Sequence, residues 1–240
     1  VKLRLLQARE PGDVVREEER TAFAERLGLP PSHILPHDLL TGAASLAQVT
    51  DGVDAVLVGG SGAFSVYDPH PWVGAFIDLL GEIAASGTPM FASCFGFQGL
   101  VVAAGGRVER DEPRAEVGTF DVELLPAAAD DPLLHDLPKR FPAQLGHKDH
   151  ATVWPTSLTL LARSERCPYQ MLRAGRVWGT QFHPELTRSS NLQRFMRYHD
   201  AYARVFGEDG YQRMLEGFRD SPVNDGLLGR WRALLETKGV

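Results

Sequence analysis

Two cysteines are present, and one of them stands where a thiol can do chemistry. The segment Pro89-Met-Phe-Ala-Ser-Cys-Phe-Gly-Phe-Gln98 is a short apolar run that ends in Cys94 and opens at once into a helix-like stretch. Strand, nucleophile and helix in that order form a nucleophile elbow, whose sharp turn needs small neighbours. Ala92, Ser93 and Gly96 supply them. The helix N-terminus offers unpaired N–H groups and a partial positive charge, both of which favour the thiolate over the thiol. The N–H of Phe95 would face the oxygen of a tetrahedral intermediate. The plainer reading is that Cys94 is a small buried core residue, as free cysteines often are. Cys167, beside Pro168 in a loop-like stretch, reads as structural.

A base and its orienter stand in Gly179-Thr-Gln-Phe-His-Pro-Glu185. His183 at the end of a strand can reach a nucleophile at the end of a neighbouring strand. Glu185, two residues on, can accept the other ring N–H and fix the tautomer. The alternative is a surface His-Pro turn with a solvated glutamate. A third element is Val58-Gly-Gly-Ser-Gly62, where glycine permits close approach and unusual φ. Backbone donors near Gly60 and at Phe95 would make an oxyanion hole, with Ser61 able to share the duty. The cluster lacks the Lys-Ser/Thr of a phosphate loop, so nucleotide binding there is not expected.

These residues must be carried on a sheet that collects them at one edge. Lys2–Ala8 reads as a strand. A helix runs from a cap at Asp13 to Leu27, with Val14, Val15, Ala22, Phe23 and Leu27 on one side, and Gly28 stops it. Ala55–Val58 and Pro89–Ser93 read as buried parallel strands. Pro71 to about Ala85 is helical, with a stripe of Trp72, Phe76, Leu79, Leu80 and Ile83. Beyond Arg107 the pattern changes: Val117–Leu125 alternates like a half-exposed strand, and Leu158–Ala162, Gln170–Leu172 and Val177–Phe182 follow as short strands, with a turn at Ala174–Gly175. The expected architecture is α/β, a three-layer sandwich around a mostly parallel central sheet. Residues 1–187 form that α/β domain. Residues 188–240 form a C-terminal helical extension packed on it, with one helix over Asn191–Phe206 and another beginning at Ser221–Pro222.

The chain has 240 residues, 43% of them hydrophobic, and a net charge of -6, which gives no basic footprint for nucleic acid. Two cysteines write no disulfide framework, so a reducing cytoplasm is the expected compartment. The opening VKLRLLQARE is too short and too charged for a signal peptide, and no apolar run is long enough to span a membrane.

The order and spacing of these motifs resemble the class I glutamine amidotransferase family over roughly residues 1–187. Gly-Gly-Ser-Gly comes first, then Cys-Phe-Gly-Phe-Gln, then a His-x-Asp loop at His147-Lys-Asp149, then Gln-Phe-His-Pro-Glu. Glu116-Val-Gly118 and the tail from Ser221 are similar to elements of free-standing members. The resemblance implies a flavodoxin-like fold and a glutaminase-type enzyme. Cys94 would attack a γ-glutamyl carbonyl, His183 shuttle the proton and Glu185 orient it, with Gly60 and Phe95 as oxyanion donors. Gln98, Lys148 and Asp149 fall at substrate-binding positions. No cofactor and no metal are implied, and the ammonia would serve a separate synthase. Three departures stand out: Ala92 for a usual glycine, Phe97 for a usual His or Ser, and Lys148 for a usual glycine.

Other readings stay open. The same triad serves a γ-glutamyl peptidase or hydrolase, which differs only in the leaving group. A catalytically silent regulatory subunit could keep the fold. His147, Asp149 and His150 have tolerable spacing for a metal, but no third and fourth ligands are visible. The apolar tail helices could serve a homo-oligomer interface.

Overall fold

The computed structural model describes residues 1–42 and 44–237, so the last three residues of the expected extension, 238–240, lie outside the described residues. In chain order the first half runs β1 (Leu3–Gln7), α1 (Val15–Leu27), β2 (Ile34–Asp38), α2 (Leu46–Thr50), β3 (Ala55–Val58), α3 (Pro71–Ser86), β4 (Met90–Ser93) and α4 (Phe95–Ala103). It continues with β5 (Arg107–Arg110), β6 (Glu116–Leu124), β7 (Arg140–His147), β8 (Asp149–Val153), β9 (Thr159–Ser164), β10 (Met171–Ala174) and β11 (Val177–Thr180). Four helices follow: α5 (Arg188–Arg197), α6 (His199–Phe206), α7 (Glu208–Glu216) and α8 (Pro222–Glu236).

Among the described residues the main sheet has nine strands in the order β2-β1-β3-β4-β11-β10-β9-β6-β7. From β2 to β11 every pairing is parallel. Beyond β11 the sheet continues antiparallel, with the turn at Gly175 taking a positive φ of 60°. The central parallel strands β3 and β4 are buried on both faces, which is why they read as unbroken apolar runs.

Alternation along those strands makes two cores. Leu3, Leu5, Leu57 and Phe91 face one side with Phe23 of α1 and Leu227, Leu228 and Trp231 of α8. Leu6, Val56, Val58, Met90 and Ala92 face the other with Phe76, Leu79, Leu80 and Ile83 of α3 and Leu100 of α4. This is the expected three-layer α/β arrangement. A third, smaller cluster joins α5 and α7 to β6 through Phe195, Tyr211, Phe218 and Val117.

Three local expectations need correction. Val14 is 62% exposed, because it precedes the helix and the Asp13 carboxylate caps Val15 N–H at 2.9 Å. The helix over Asn191–Phe206 breaks into α5 and α6 at Tyr198, where a φ of -101° and a ψ of 27° leave the α region. Val117–Leu125 is more enclosed than a half-exposed strand, because β7 and β9 flank it and α5 and α7 pack on it.

Candidate active site

The three motifs meet because β3, β4 and β11 are adjacent and parallel, so their carboxyl ends share one edge of the sheet. Val58 is opposite Ala92, and Ser93 is opposite Thr180. Cys94 N–H donates to Thr180 O at 2.7 Å, and Gln98 N–H donates to Cys94 O at 2.9 Å as α4 begins. Among the described residues Cys94 alone is a non-glycine with positive φ (49°, with ψ -98°). Such a backbone costs about 1–3 kcal/mol and clusters at functional sites. The elbow tolerates Ala92 because Gly96 faces it: a Cβ on Gly96 would come within 3.0 Å of the Ala92 methyl and 2.7 Å of Val58 Cβ.

His183 lies three residues beyond β11. Its N–H donates to Gln144 O at 2.8 Å, and its ring Nδ1 is 2.6 Å from Glu185 Oε1. A carboxylate only accepts, so Nδ1 carries a proton and Nε2 is left for chemistry. Burial alone would lower the His183 pKa, but Glu185 and the Cys94 sulfur outweigh it and push it up to about 10. Burial would likewise raise Glu185, yet His183 holds its carboxyl below the usual range. Gln181 Nε2 donates to Cys94 Sγ at 3.7 Å. From α8, Asn224 Nδ2 donates to His183 O at 3.2 Å and Leu186 O at 3.1 Å.

The glycine turn is held from α1. Gly60 N–H donates to Glu19 Oε1 at 3.2 Å, so in this conformation it is committed to a buried carboxylate. Glu19, on α1, also accepts from Arg9 Nη2 at 2.8 Å and Gln7 Nε2 at 2.9 Å. Its carboxylate lies where a Cβ on Gly59 would stand, 2.5 Å from Glu19 Cδ, so glycine is required there. A Cβ on Gly60 would meet His183 Cε1 at 2.9 Å and Cys94 Cβ at 3.7 Å, which sets Gly60 directly against both. Phe95, the first residue of α4, has no intrahelical acceptor for its N–H.

Of the other expected site residues, Gln98 is buried and its Nε2 donates to Asp149 O at 3.1 Å and Gln181 Oε1 at 3.2 Å. The Asp149 carboxylate accepts from Ser65 Oγ at 2.6 Å and Tyr67 OH at 3.0 Å, which ties the loop after β3 to β8. Lys148 is exposed at the mouth of the cavity. His147 Nε2 faces Glu116 Oε2 at 2.9 Å, while Gln170 Nε2 donates to the same oxygen at 2.6 Å. His150, its pKa pushed down to about 4 by burial and by His147, packs on His147 with both ring nitrogens unpartnered. Among the described residues no group of three or more His, Cys, Asp or Glu is arranged to hold a metal ion. No described helix is long and apolar enough to cross a membrane. Phe97 is fully buried and its ring lies 6.2 Å from that of Trp154, so it packs the core behind the pocket.

Sequence reasoning missed Glu19, Gln181 and Asn224. Glu19 sits in the run Arg16-Glu-Glu-Glu-Arg20 and nothing separates it from its exposed neighbours except position on the helix face. Gln181 alternates inward from the last strand residue and lay inside a motif already singled out.

The sheet thus brings a cysteine elbow and a histidine–carboxylate pair to one carboxyl edge. Residues 33–199 match the family model described as glutamine amidotransferase class-I, and the chain belongs to that family. It is 33% identical over 156 residues to a glutamine-hydrolysing GMP synthase of Thermosipho africanus, covering 64% of this chain and 28% of the relative. A glutamine-hydrolysing GMP synthase of Salmonella arizonae is 31% identical over 173 residues, 60% of this chain and 33% of the relative. The chain thus spans about a third or less of these relatives. A crystal structure of a glutamine amidotransferase from Thermotoga maritima superposes with a TM-score of 0.76 at 22% identity, covering 98% of this chain and 97% of that one. The crystal structure of a glutamine amidotransferase from Methylobacillus flagellatus gives 0.67 at 18% identity, over 96% and 93%. At these identities the two structures speak to the fold.

Proposed function

We propose that the protein hydrolyses the γ-amide of glutamine through a thioester on Cys94. The observation that carries this is the buried His183–Glu185 pair of 2.6 Å facing a cysteine held in a strained elbow. Cys94 passes its proton to His183 Nε2, and its Sγ attacks the γ-carbonyl carbon while the carbonyl oxygen takes the negative charge beside Phe95 N–H. The C–N bond breaks as His183 gives its proton to the departing nitrogen, and ammonia leaves. Water then attacks the thioester, its proton passing to His183, and glutamate departs as the C–S bond breaks. Glu185 fixes the ring and stabilises the imidazolium.

The second oxyanion donor in this reading is Gly60 N–H, once it turns from Glu19, or its neighbour Ser61. Gln98, Lys148 and Asp149 position the amino-acid end of the substrate. The C-terminal extension, over its described residues 188–237, walls the site from α5 and α6 and braces it from α8. A synthase that consumes ammonia is the partner class this reading calls for, and the cytoplasm is the compartment. The test is release of ammonia and glutamate from L-glutamine, with Cys94→Ala as control. Release by wild type alone supports the reading. Equal release by both, or none by wild type, removes it, and the second result favours a silent regulatory role.

A further inference from the structure

Gln181, one residue past β11, is fully buried, and its Nε2 donates to Cys94 Sγ at 3.7 Å. Which end of its amide meets the sulfur follows from a chain of partners that begins on a group able only to accept. The main-chain carbonyl of Asp149, at the start of β8, accepts from Gln98 Nε2 at 3.1 Å. The same nitrogen donates to Gln181 Oε1 at 3.2 Å. A carbonyl cannot donate, so Gln98 must turn its nitrogen toward Asp149. Gln181 must then meet that nitrogen with its oxygen, and its own N–H is left for the sulfur. Turning Gln98 over would set its oxygen against the Asp149 carbonyl, and turning Gln181 over would set nitrogen against nitrogen.

The backbone holds this chain in register. Gln98 stands one turn past Cys94 on α4, and its N–H donates to Cys94 O at 2.9 Å. Gln181 N–H donates to Gln170 O at 2.8 Å. The amide therefore stands in place before any substrate arrives. Both Gln98 N–H donors are spent on protein, which leaves its Oε1 for the cleft that Gln98 lines.

Sulfur chemistry gives the contact its meaning. Cys94 is only 6% exposed, so a thiolate there has little water around it and needs donors. His183 is one, but it gives its proton to the departing nitrogen. An amide N–H keeps its proton throughout. It faces the sulfur in the free enzyme, and again when the C–S bond breaks and the charge returns to sulfur.

We propose that Gln181 is a catalytic residue whose Nε2–H donates to the Cys94 thiolate and raises the share of Cys94 in that form, and that Gln98 is the positioning residue that turns the amide to do so. The inference rests on the Cys94 hydrolase reading above. It adds to that reading a donor on the sulfur that takes no part in proton transfer.

The experiment alkylates Cys94 with iodoacetamide over a range of pH in wild type, Gln181→Met and Gln181→Glu, and follows glutamine turnover in the same preparations. The readout is the alkylation rate at low pH, where thiolate is scarce, divided by the plateau rate at high pH, where the thiol is ionised. A change in packing or access moves both rates together and cancels. The charged and titratable groups around the sulfur are the same in all three proteins: His183 and Glu185 after β11, Arg194 and Tyr202 of the extension, Glu19 of α1 and Lys148. Methionine fills the space without a donor, and the ratio should fall about tenfold, the loss of one charge-assisted contact. Glutamate keeps the shape and the acceptor for Gln98, so it serves where the methionine variant fails to fold. Two like charges cannot readily ionise side by side, so there the ratio should fall at least as far. A wild type that turns over glutamine, with a ratio unmoved in the folded variants, overturns the proposal and leaves the hydrolase reading standing. No glutamine turnover by wild type overturns the hydrolase reading, and the catalytic role of Gln181 with it.

Discussion

Asn224, on α8, donates from Nδ2 to the main-chain carbonyl of His183 at 3.2 Å and to that of Leu186 at 3.1 Å. A residue 41 positions downstream of the base thus holds the loop that carries it. Trp231, Leu227 and Leu228 anchor the same helix in the core, so its position is fixed by packing and passed to the loop by hydrogen bonds. Replacing Asn224 by Leu keeps the volume, takes the side-chain donor from the Leu186 carbonyl and leaves the His183 carbonyl with the Leu186 N–H alone. Stability should fall by about 1–3 kcal/mol in urea denaturation. Turnover should fall about tenfold beyond any loss of folded protein, since small displacements of a reacting group are costly.

The strained elbow predicts a trade of stability against activity. Cys94→Gly relieves a φ of 49° that no other described non-glycine adopts. The variant should be inactive and more stable by about 1 kcal/mol, at the low end of the strain. A shift of the denaturation midpoint toward lower stability would contradict the strain.

His183 gives a pH signature. Its folded pKa, about 10, lies above the ordinary imidazole value of 6.5. The fold therefore favours the imidazolium. That contribution is fully present below about pH 6.5 and is lost as pH rises through about 10. Wild type minus His183→Gln stability, measured by urea denaturation at a series of pH values, should decline across that window. A flat difference would refute the raised value. The same variant should lose several orders of magnitude in rate.

Glu19 balances Arg9 in a buried pair and takes the Gly60 N–H as well. Glu19→Ala leaves the Arg9 charge buried without a partner and should cost about 3–5 kcal/mol. Thermal or urea unfolding of the variant checks this, and a cost under about 1 kcal/mol would show that the pair is not holding the turn.

The two thiols should differ in reactivity. Cys94 lines the cavity, whereas Cys167 is fully buried and its thiol is pushed up to about 12, chiefly by burial. Brief treatment of the folded protein with iodoacetamide should label Cys94 and spare Cys167, read by peptide mapping.

Much of the site was legible because its parts carry local signatures. The elbow shows as an apolar run, a cysteine and small neighbours, and parallel strands deliver such ends to one edge. What escaped reading depended on tertiary partners. Strand β2 carries Pro36 and His37 and looks like a loop, but among the described residues it pairs with β1 alone, at the sheet edge, where proline is tolerated. Glu19 is distinguished from Glu17 and Glu18 only by facing Arg9 and Gln7 across the fold. The Gly60 N–H was expected to face the substrate, and its orientation toward Glu19 could not be read from a glycine cluster. Tyr198 breaks the long helical pattern although its own side chain gives no stop signal.

The central claim is a covalent intermediate on Cys94. Protein mixed with glutamine, quenched in acid within the first turnovers and digested, should show the peptide containing Cys94 heavier by one γ-glutamyl group, with the Cys167 peptide unchanged. Glutamine turnover without that adduct, persisting in Cys94→Ala, would contradict the account.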